Sequence, residues 1–178
     1  LDPGTTSCVQ SFDADQLRAL EYVFSIRNTT AGFKLAAVNM SLGGGEFATF
    51  CDNDALKPII DQLRAAGIAT VVAAGNESKD AAVGAPACIS TAITVASSTK
   101  QDVRSDFSNW GNLIDVVAPG SQILSSYVQG NSNTFYNAID GTSMASPMVA
   151  GAIAALKSAR PQATVDQIET ALKPTGLG

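Results

Sequence analysis

The sequence predicts an α/β fold with a mostly parallel sheet flanked by helices, and three observations support that prediction. Four apolar segments of strand length recur along the chain, at residues 35–42, 68–74, 93–96 and 114–118. Helical patterns stand before, between and after them. The chain has 178 residues, of which 46% are hydrophobic and 15% charged, which suits one domain with a sizeable core. Strands that alternate with helices favour parallel pairing.

The first helix is predicted from its start signal and its spacing. Asp13 is expected to be the N-cap, and Gln16 completes a capping box three residues later. The apolar residues that follow at helical spacing carry the helix to about Asn28; they are Leu17, Leu20, Val23 and Phe24.

The second helix lies between the first two strands. It is predicted to start near Asn53 or Asp54, and Pro58 is tolerated because the N–H groups of a first turn have no intrahelical partner. Gly67 is expected to close the helix as its C′ residue. The glycines at 43–45, after the first strand, are expected to form a loop.

The last third of the chain combines a hairpin with two helices. Segments 123–127 and 135–139 are predicted to pair. A long helix should run from Ser143 to about residue 158, before Pro161. A second capping box, built from Thr164 and Gln167, opens a short helix through residue 172.

Composition excludes some classes of partner. The net charge of −5 argues against nucleic acid and anionic membranes. No apolar run approaches the ~20 residues of a membrane-spanning helix. The first residues show neither the basic nor the apolar region of a signal peptide.

The segment 141–151 carries the strongest chemical signal. Ser143 follows a glycine at the predicted start of a helix, where free N–H groups and the helix dipole favour negative charge. That suits a nucleophile whose reaction creates an oxyanion. The alternative is that Ser143 only caps a helix of small residues. Asn76 has a similar alternative, as a turn residue after Gly75.

Several motifs together resemble those of the subtilisin-like serine proteases. They are Gly-Thr-Ser-Met-Ala-Ser-Pro at 141–147, Val-Val-Ala-Ala-Gly-Asn at 71–76, Asn-Met-Ser-Leu-Gly-Gly at 39–44, Phe-Ser-Asn at 107–109 and Val-Ala-Pro-Gly at 117–120. They occur in the order that the family has. The resemblance implies a subtilisin-like fold and a serine endopeptidase that acts through an acyl-enzyme.

The resemblance assigns two residues to catalysis and leaves two roles unfilled. Ser143 matches the nucleophile, and Asn76 matches the asparagine that donates to the oxyanion together with the Ser143 N–H. The family also needs a histidine base and an aspartate, yet the sequence contains no histidine. We expect both in a missing N-terminal segment, so that residues 1–178 are the C-terminal portion of one peptidase domain, incomplete at the N-terminal side and inactive alone.

The resemblance also implies a polypeptide substrate and a secreted or extracytoplasmic protein. The residues that would bind substrate around the S1 pocket are Ser41, Leu42 and Gly43 on one side, Ala73, Ala74 and Gly75 on the other, and Gly84 near the base. These residues are uncharged and nearly all small, which predicts a preference for large apolar or aromatic P1 residues. Glu77, close by in sequence, would blunt that preference.

The three cysteines allow two interpretations: three buried thiols, or one disulfide and an orphan. The absence of a Cys-x-x-Cys pair and of histidine argues against a zinc site. Secretion, which the family implies, favours a disulfide. The positions of Cys51 and Cys88 in the family's loops suggest that these two pair, which leaves Cys8 for a partner outside the chain. By the same resemblance we expect a cis bond between Ala85 and Pro86.

No cofactor is expected for the chemistry, but the family suggests a structural calcium ion. Its ligands would be Asp115 and backbone carbonyls around Ser90 and Ala92. The alternative is that Asp115 simply ends a strand.

Two other functions compete with the endopeptidase. One is a non-catalytic relic, a pseudoprotease that binds peptides along 41–43. The other is a hydrolase in which Lys157 or another lysine serves as the base for Ser143.

Overall fold

A computed structural model describes residues 11–29, 34–129 and 132–175. In chain order the elements are α1 (Asp13–Ile26), β1 (Ala37–Met40), β2 (Gly44–Phe47), α2 (Lys57–Ala65), β3 (Ala69–Ala73), β4 (Val83–Ala85), β5 (Ile93–Ser98), β6 (Val116–Pro119), β7 (Ile123–Gln129), β8 (Ser132–Ile139), α3 (Thr142–Ala159) and α4 (Val165–Leu172).

The centre is a parallel sheet of four strands in the order β1-β3-β5-β6. Successive residues of a strand point to opposite faces, so that Val72 packs with α1 and α2 while Val71 packs with α3 and α4. Both residues are fully buried. The predicted α/β fold, a parallel sheet with helices on both faces, is confirmed.

The start of α1 differs from the prediction. Phe12 is the N-cap, Asp13 is already helical, and the N-cap side chain makes no capping hydrogen bond. The Gln16 side chain donates to Ser11 Oγ at 3.0 Å instead of closing a capping box. The predicted capping box is therefore wrong. Asp13 and Asp15 still place negative charge at the positive end of the helix dipole.

The second helix begins later than predicted, at Lys57. Residues before it form turns, because Asp54 Oδ1 accepts from the Leu56 N–H at 2.8 Å. Its end agrees with the prediction. Gly67 has φ +81°, and the N–H groups of Gly67 and Ile68 bond the carbonyls of Arg64 and Leu63, which is a Schellman motif.

Two short strands were not predicted. β2 and β4 form a separate antiparallel ribbon, with Gly44 opposite Ala85 and Phe47 opposite Val83. The glycines at 43–45 suggested only a loop, because the partner strand lies much further along the sequence and leaves no local signal.

Four further structural predictions are confirmed: the hairpin, the second capping box, the disulfide and the cis peptide bond. β7 and β8 pair as an antiparallel hairpin. Thr164 and Gln167 form the second capping box, with each side chain bonded to the other's backbone N–H. Cys51 and Cys88 form a disulfide, and the Ala85–Pro86 bond is cis. Cys8 lies outside the described residues. No helix within the described ranges is long and apolar enough to cross a membrane.

Candidate active site

Ser143 lies at the start of α3, beyond the carboxyl ends of β1 and β3. It is the second helical residue, so its own N–H has no intrahelical acceptor. Its hydroxyl is half-buried and reaches the Ser41 carbonyl at a long 3.4 Å. A weakly engaged hydroxyl at a helix N-terminus is a suitable nucleophile once a base is present.

The orientation of Asn76 is determined by Thr142. The Thr142 N–H and hydroxyl both donate to Asn76 Oδ1, at 2.9 and 2.8 Å. A backbone N–H can only donate, so the amide oxygen must face Thr142 and the Asn76 NH₂ must face away from it. That NH₂ lies beside the start of α3, with Nδ2 3.7 Å from the place that a Cβ on Gly141 would take.

Thr142 is the residue that sequence reasoning missed. It is fully buried, and besides the two contacts to Asn76 its Oγ1 accepts from the Gly75 N–H at 3.2 Å. The available signal was its place between a glycine and the candidate nucleophile. That place suggested only a small hydroxylated neighbour, because its partners Asn76 and Gly75 lie 66 and 67 residues earlier in the chain.

A pocket of about 180 Å³ opens beside Ser143. Its lining residues are Leu42, Gly43, Gly44, Ala73, Gly75, Asn76, Glu77, Gly84, Thr142 and Ser143. The glycines let the walls approach: a Cβ on Gly43 would lie 3.0 Å from the Ala85 carbonyl oxygen, and one on Gly84 would lie 3.2 Å from the Gly44 nitrogen.

Two residues expected at the pocket are not among its lining. The Ala74 side chain is fully buried in the core beneath α2. Ser41 lies next to α3 instead, where its hydroxyl donates to the Ser143 carbonyl at 2.7 Å and shares a 3.0 Å hydrogen bond with Ser146 Oγ. Ser41 therefore secures the first turn of the helix that carries the candidate nucleophile.

Comparison with known proteins identifies the family. The family model of the subtilases, peptidase family S8, matches residues 10–176. The chain belongs to the subtilase family.

One of the relatives that this subtilase resembles is a named serine proteinase. It is 44% identical over 139 residues to the extracellular serine proteinase of Thermus sp. (strain Rt41A), covering 78% of this chain and 32% of that protein. It is 41% identical over 153 residues to cerevisin of Saccharomyces cerevisiae, covering 83% and 23%.

Solved structures agree with the fold. A cold adapted subtilisin-like serine proteinase superposes with a TM-score of 0.76 at 32% identity, over 93% of this chain and 55% of the other. A Pseudoalteromonas arctica protease superposes with a TM-score of 0.79 at 32% identity, over 94% and 53%. The chain thus spans about a third or less of these curated relatives and about half of the solved structures.

The subtilase chain supplies no histidine base for Ser143. It has no histidine, and Glu77 is the one carboxylate among the described residues that line the pocket. Lys157 lies 14 positions along the same helix, about 21 Å away at 1.5 Å per residue. Its ammonium donates to the Ala163 carbonyl at 2.6 Å. Lys157 therefore cannot take the Ser143 proton.

Both carboxylate oxygens of Asp115, the residue suggested as a calcium ligand, have protein partners in the structure. One carboxylate oxygen accepts from the Thr94 N–H, and the other pairs with the Lys173 ammonium, both at 2.9 Å. Within the described ranges no group of three or more His, Cys, Asp or Glu residues stands ready for a metal. Lys173 also pairs with Glu169 at 2.7 Å, and that hydrogen bond raises the pKa of Lys173. An ammonium thus already supplies positive charge where the family suggested a cation.

Proposed function

We propose that this chain provides the nucleophile, the oxyanion hole and the S1 pocket of a secreted serine endopeptidase. Ser143 would attack the scissile carbonyl of a polypeptide and form an acyl-enzyme. The Asn76 amide and the Ser143 N–H would donate to the oxyanion of the tetrahedral intermediate. The observation that carries the proposal is the double hydrogen bond from Thr142, because it turns the Asn76 NH₂ away from Thr142 before any substrate arrives.

Substrate would bind beside this machinery as an extended strand. Residues 41–43 lead from β1 into β2, and their backbone would pair with the peptide by strand addition. The pocket lined by Leu42, Gly43 and Gly84 would take the P1 side chain. Burial of a large apolar P1 side chain there would contribute about 1.5–3 kcal/mol.

The base and its aspartate would come from a missing N-terminal segment. Besides the lack of histidine, the molecule has a surface that suits such a segment, which we call the open flank: the outer edge of β1 and the exposed α3 residues Met148, Gly151, Ala152 and Ala155. These four residues recur at helical spacing on a helix that is apolar nearly all round, and such helices are normally buried. The edge of β1, which pairs with no further strand among the described residues, would accept one.

A peptide-binding pseudoprotease is the competing function. A pseudoprotease would bind peptides along residues 41–43, and this binding would not need the hydrogen bonds between Thr142 and Asn76. Because those bonds orient an amide that suits an oxyanion, the endopeptidase accounts for more of the structure.

The test is labelling with a fluorophosphonate, which reacts with an activated serine. The chain alone should not react, since loss of the histidine base by itself costs about 2 × 10⁶ in turnover, a figure measured in a subtilisin. The protein that includes the missing segment should be labelled at Ser143, and Ser143→Ala should abolish labelling and peptidase activity. Ser158→Ala, which changes an exposed serine at the far end of α3, is the matched control.

Three outcomes would contradict the proposal. Activity of the chain alone that disappears in Ser143→Ala would show that another residue serves as base. A longer protein that binds peptides but is never labelled would favour the pseudoprotease. A longer protein that keeps its peptidase activity after Ser143→Ala would exclude Ser143 as nucleophile.

A further inference from the structure

Asn109 is a buried polar residue to which the catalytic scheme assigns no role. It belongs to the Phe-Ser-Asn motif at 107–109, it is 1% exposed, and it lies in the loop between β5 and β6. A buried amide must satisfy two donor hydrogens and its acceptor oxygen within the protein. The partners of these hydrogen bonds therefore show which segment Asn109 holds in place.

The side-chain hydrogen bonds of Asn109 within the described part of the chain all go to the segment after β3. Oδ1 accepts from the N–H groups of Glu77 and Lys79, at 3.1 and 3.0 Å. Nδ2 donates to the Ala74 carbonyl at 3.1 Å and to Glu77 Oε2 at 2.7 Å. The Asn109 backbone N–H adds a bond to the Gly75 carbonyl at 3.0 Å.

These bonds bracket the proposed oxyanion residue. Asn76 has Gly75 on one side and Glu77 on the other, and Asn109 bonds the backbone of both. The fit is tight, since a Cβ on Gly75, which has φ +110°, would overlap Asn109 Nδ2. The side chain of Asn76 is oriented by Thr142, whereas its backbone is held by Asn109.

We propose that Asn109 is a positioning residue for catalysis, which places the Asn76 amide in the oxyanion hole. The inference rests on the proposed endopeptidase function. Asn109 touches neither substrate nor reacting atoms in this scheme. Its effect passes through the backbone of 75–77, and the loss of Asn109 cannot exceed the loss of the donor that it positions.

The experiment is a double-mutant cycle in the complete protease, with Asn76→Ala, Asn109→Ala and both together. Loss of an oxyanion donor costs about 10²–10³ in kcat in a subtilisin, so Asn109→Ala should cost about tenfold to a hundredfold in kcat with little change in KM. If Asn109 acts through Asn76, the second change should cost less than about threefold in the Asn76→Ala background.

A matched control separates positioning from general stability. Ile168→Ala removes a buried side chain of α4, a helix that contributes no residue to the pocket lining, and should lower Tm while kcat below the melting transition stays unchanged. A transition-state analogue adds a second readout: affinity for a peptide boronate, which places an oxyanion in the hole, should fall with kcat.

Asn109→Asp keeps the volume and both acceptor contacts, so it repeats the cycle if Asn109→Ala does not fold. It loses both donors and sets a second carboxylate against Glu77. Equal costs of the Asn109 change with and without Asn76 would overturn the inference, as would an equal loss of kcat in Ile168→Ala. Ser143→Ala tests the proposed function separately, since activity that survives that change defeats the endopeptidase whatever Asn109 does.

Discussion

Two regions at the border of the sheet are built differently. Around the start of β5, which we call the closed flank, α2 and α4 are joined by ion pairs: Arg64 pairs with Asp166 and Glu169, at 2.5 and 2.6 Å. The disulfide ties the turns before α2 to the loop before β5. The open flank, in contrast, has a strand edge without a partner among the described residues and an exposed apolar helix face.

The contrast shows how the proposed catalytic parts are divided. Asn76 and the pocket depend on hydrogen bonds within this chain, so their arrangement needs no other segment. Ser143 has no histidine base in this chain, and the helix that carries it has one face exposed. The open flank therefore includes an exposed face of α3, and α3 is also the helix whose Ser143 lacks a histidine base in this chain.

The largest expected effect comes from a charge on the open flank. Ala152→Asp leaves the chain alone nearly unaffected, because residue 152 is exposed there. In a protein that includes the proposed N-terminal segment, the aspartate would be buried against that segment, at a cost of several kcal/mol. We expect loss of assembly and of peptidase activity, measured as fluorophosphonate labelling and Tm.

The matched control for that prediction is Ala19→Asp, at an exposed alanine on α1. Equal activity of the two variants in the complete protein would mean that nothing packs on the open flank.

The next effect concerns the disulfide of the closed flank. Replacing both Cys51 and Cys88 by serine frees a loop whose ends are 37 positions apart, which in the chain-entropy model costs about 4 kcal/mol of unfolding free energy. The expected result is a lower Tm in the complete protein under non-reducing conditions. A Tm that changes no more than that of Ser158→Ala would show that the disulfide is not a main support of this flank.

A smaller effect is expected at Glu169. Burial raises the pKa of Glu169, but hydrogen bonds from Lys173 and Arg64 outweigh it, and the pKa lies below its usual 4.5. The stability from this carboxylate is therefore present above the unfolded pKa and is lost as pH falls through the lower folded value. Glu169→Gln should cost about 1.5–3 kcal/mol of unfolding free energy at neutral pH.

The pH dependence supplies the check on Glu169. The difference in unfolding free energy between the wild-type protein and Glu169→Gln should shrink as pH falls below about 4.5, the point at which the unfolded carboxyl becomes protonated. A difference that stays constant down to about pH 3 would mean that the charge of Glu169 contributes nothing.

The smallest effect is expected from calcium. Because Asp115 is paired with Lys173, a chelator should leave the Tm of the complete wild-type protein unchanged. Lys173→Met frees one oxygen of Asp115, and added calcium should then raise Tm slightly. A large fall in the wild-type Tm on chelation would restore the calcium site that the family suggests.

Most of the fold was predictable because its signals are local. The apolar strands, the helical spacing of α2 and the Thr164–Gln167 capping box each depend on residues within a few turns of chain. The local signal failed at Asp13, where a good capping residue is displaced by Phe12. It failed again at β2, whose partner is remote in sequence.

The sequence by itself determined the candidate nucleophile, the candidate oxyanion asparagine and the absence of a histidine, since these are residue types in a readable order. Only the tertiary structure decided how Asn76 is oriented, because Thr142 lies 66 residues away from it. The tertiary structure also shows that the Ala74 side chain lies in the core and not at the pocket, and that Asp115 pairs with Lys173. Hydrogen bonds and ion pairs between distant segments have no periodicity in the sequence, so their partners appear only once the chain is folded.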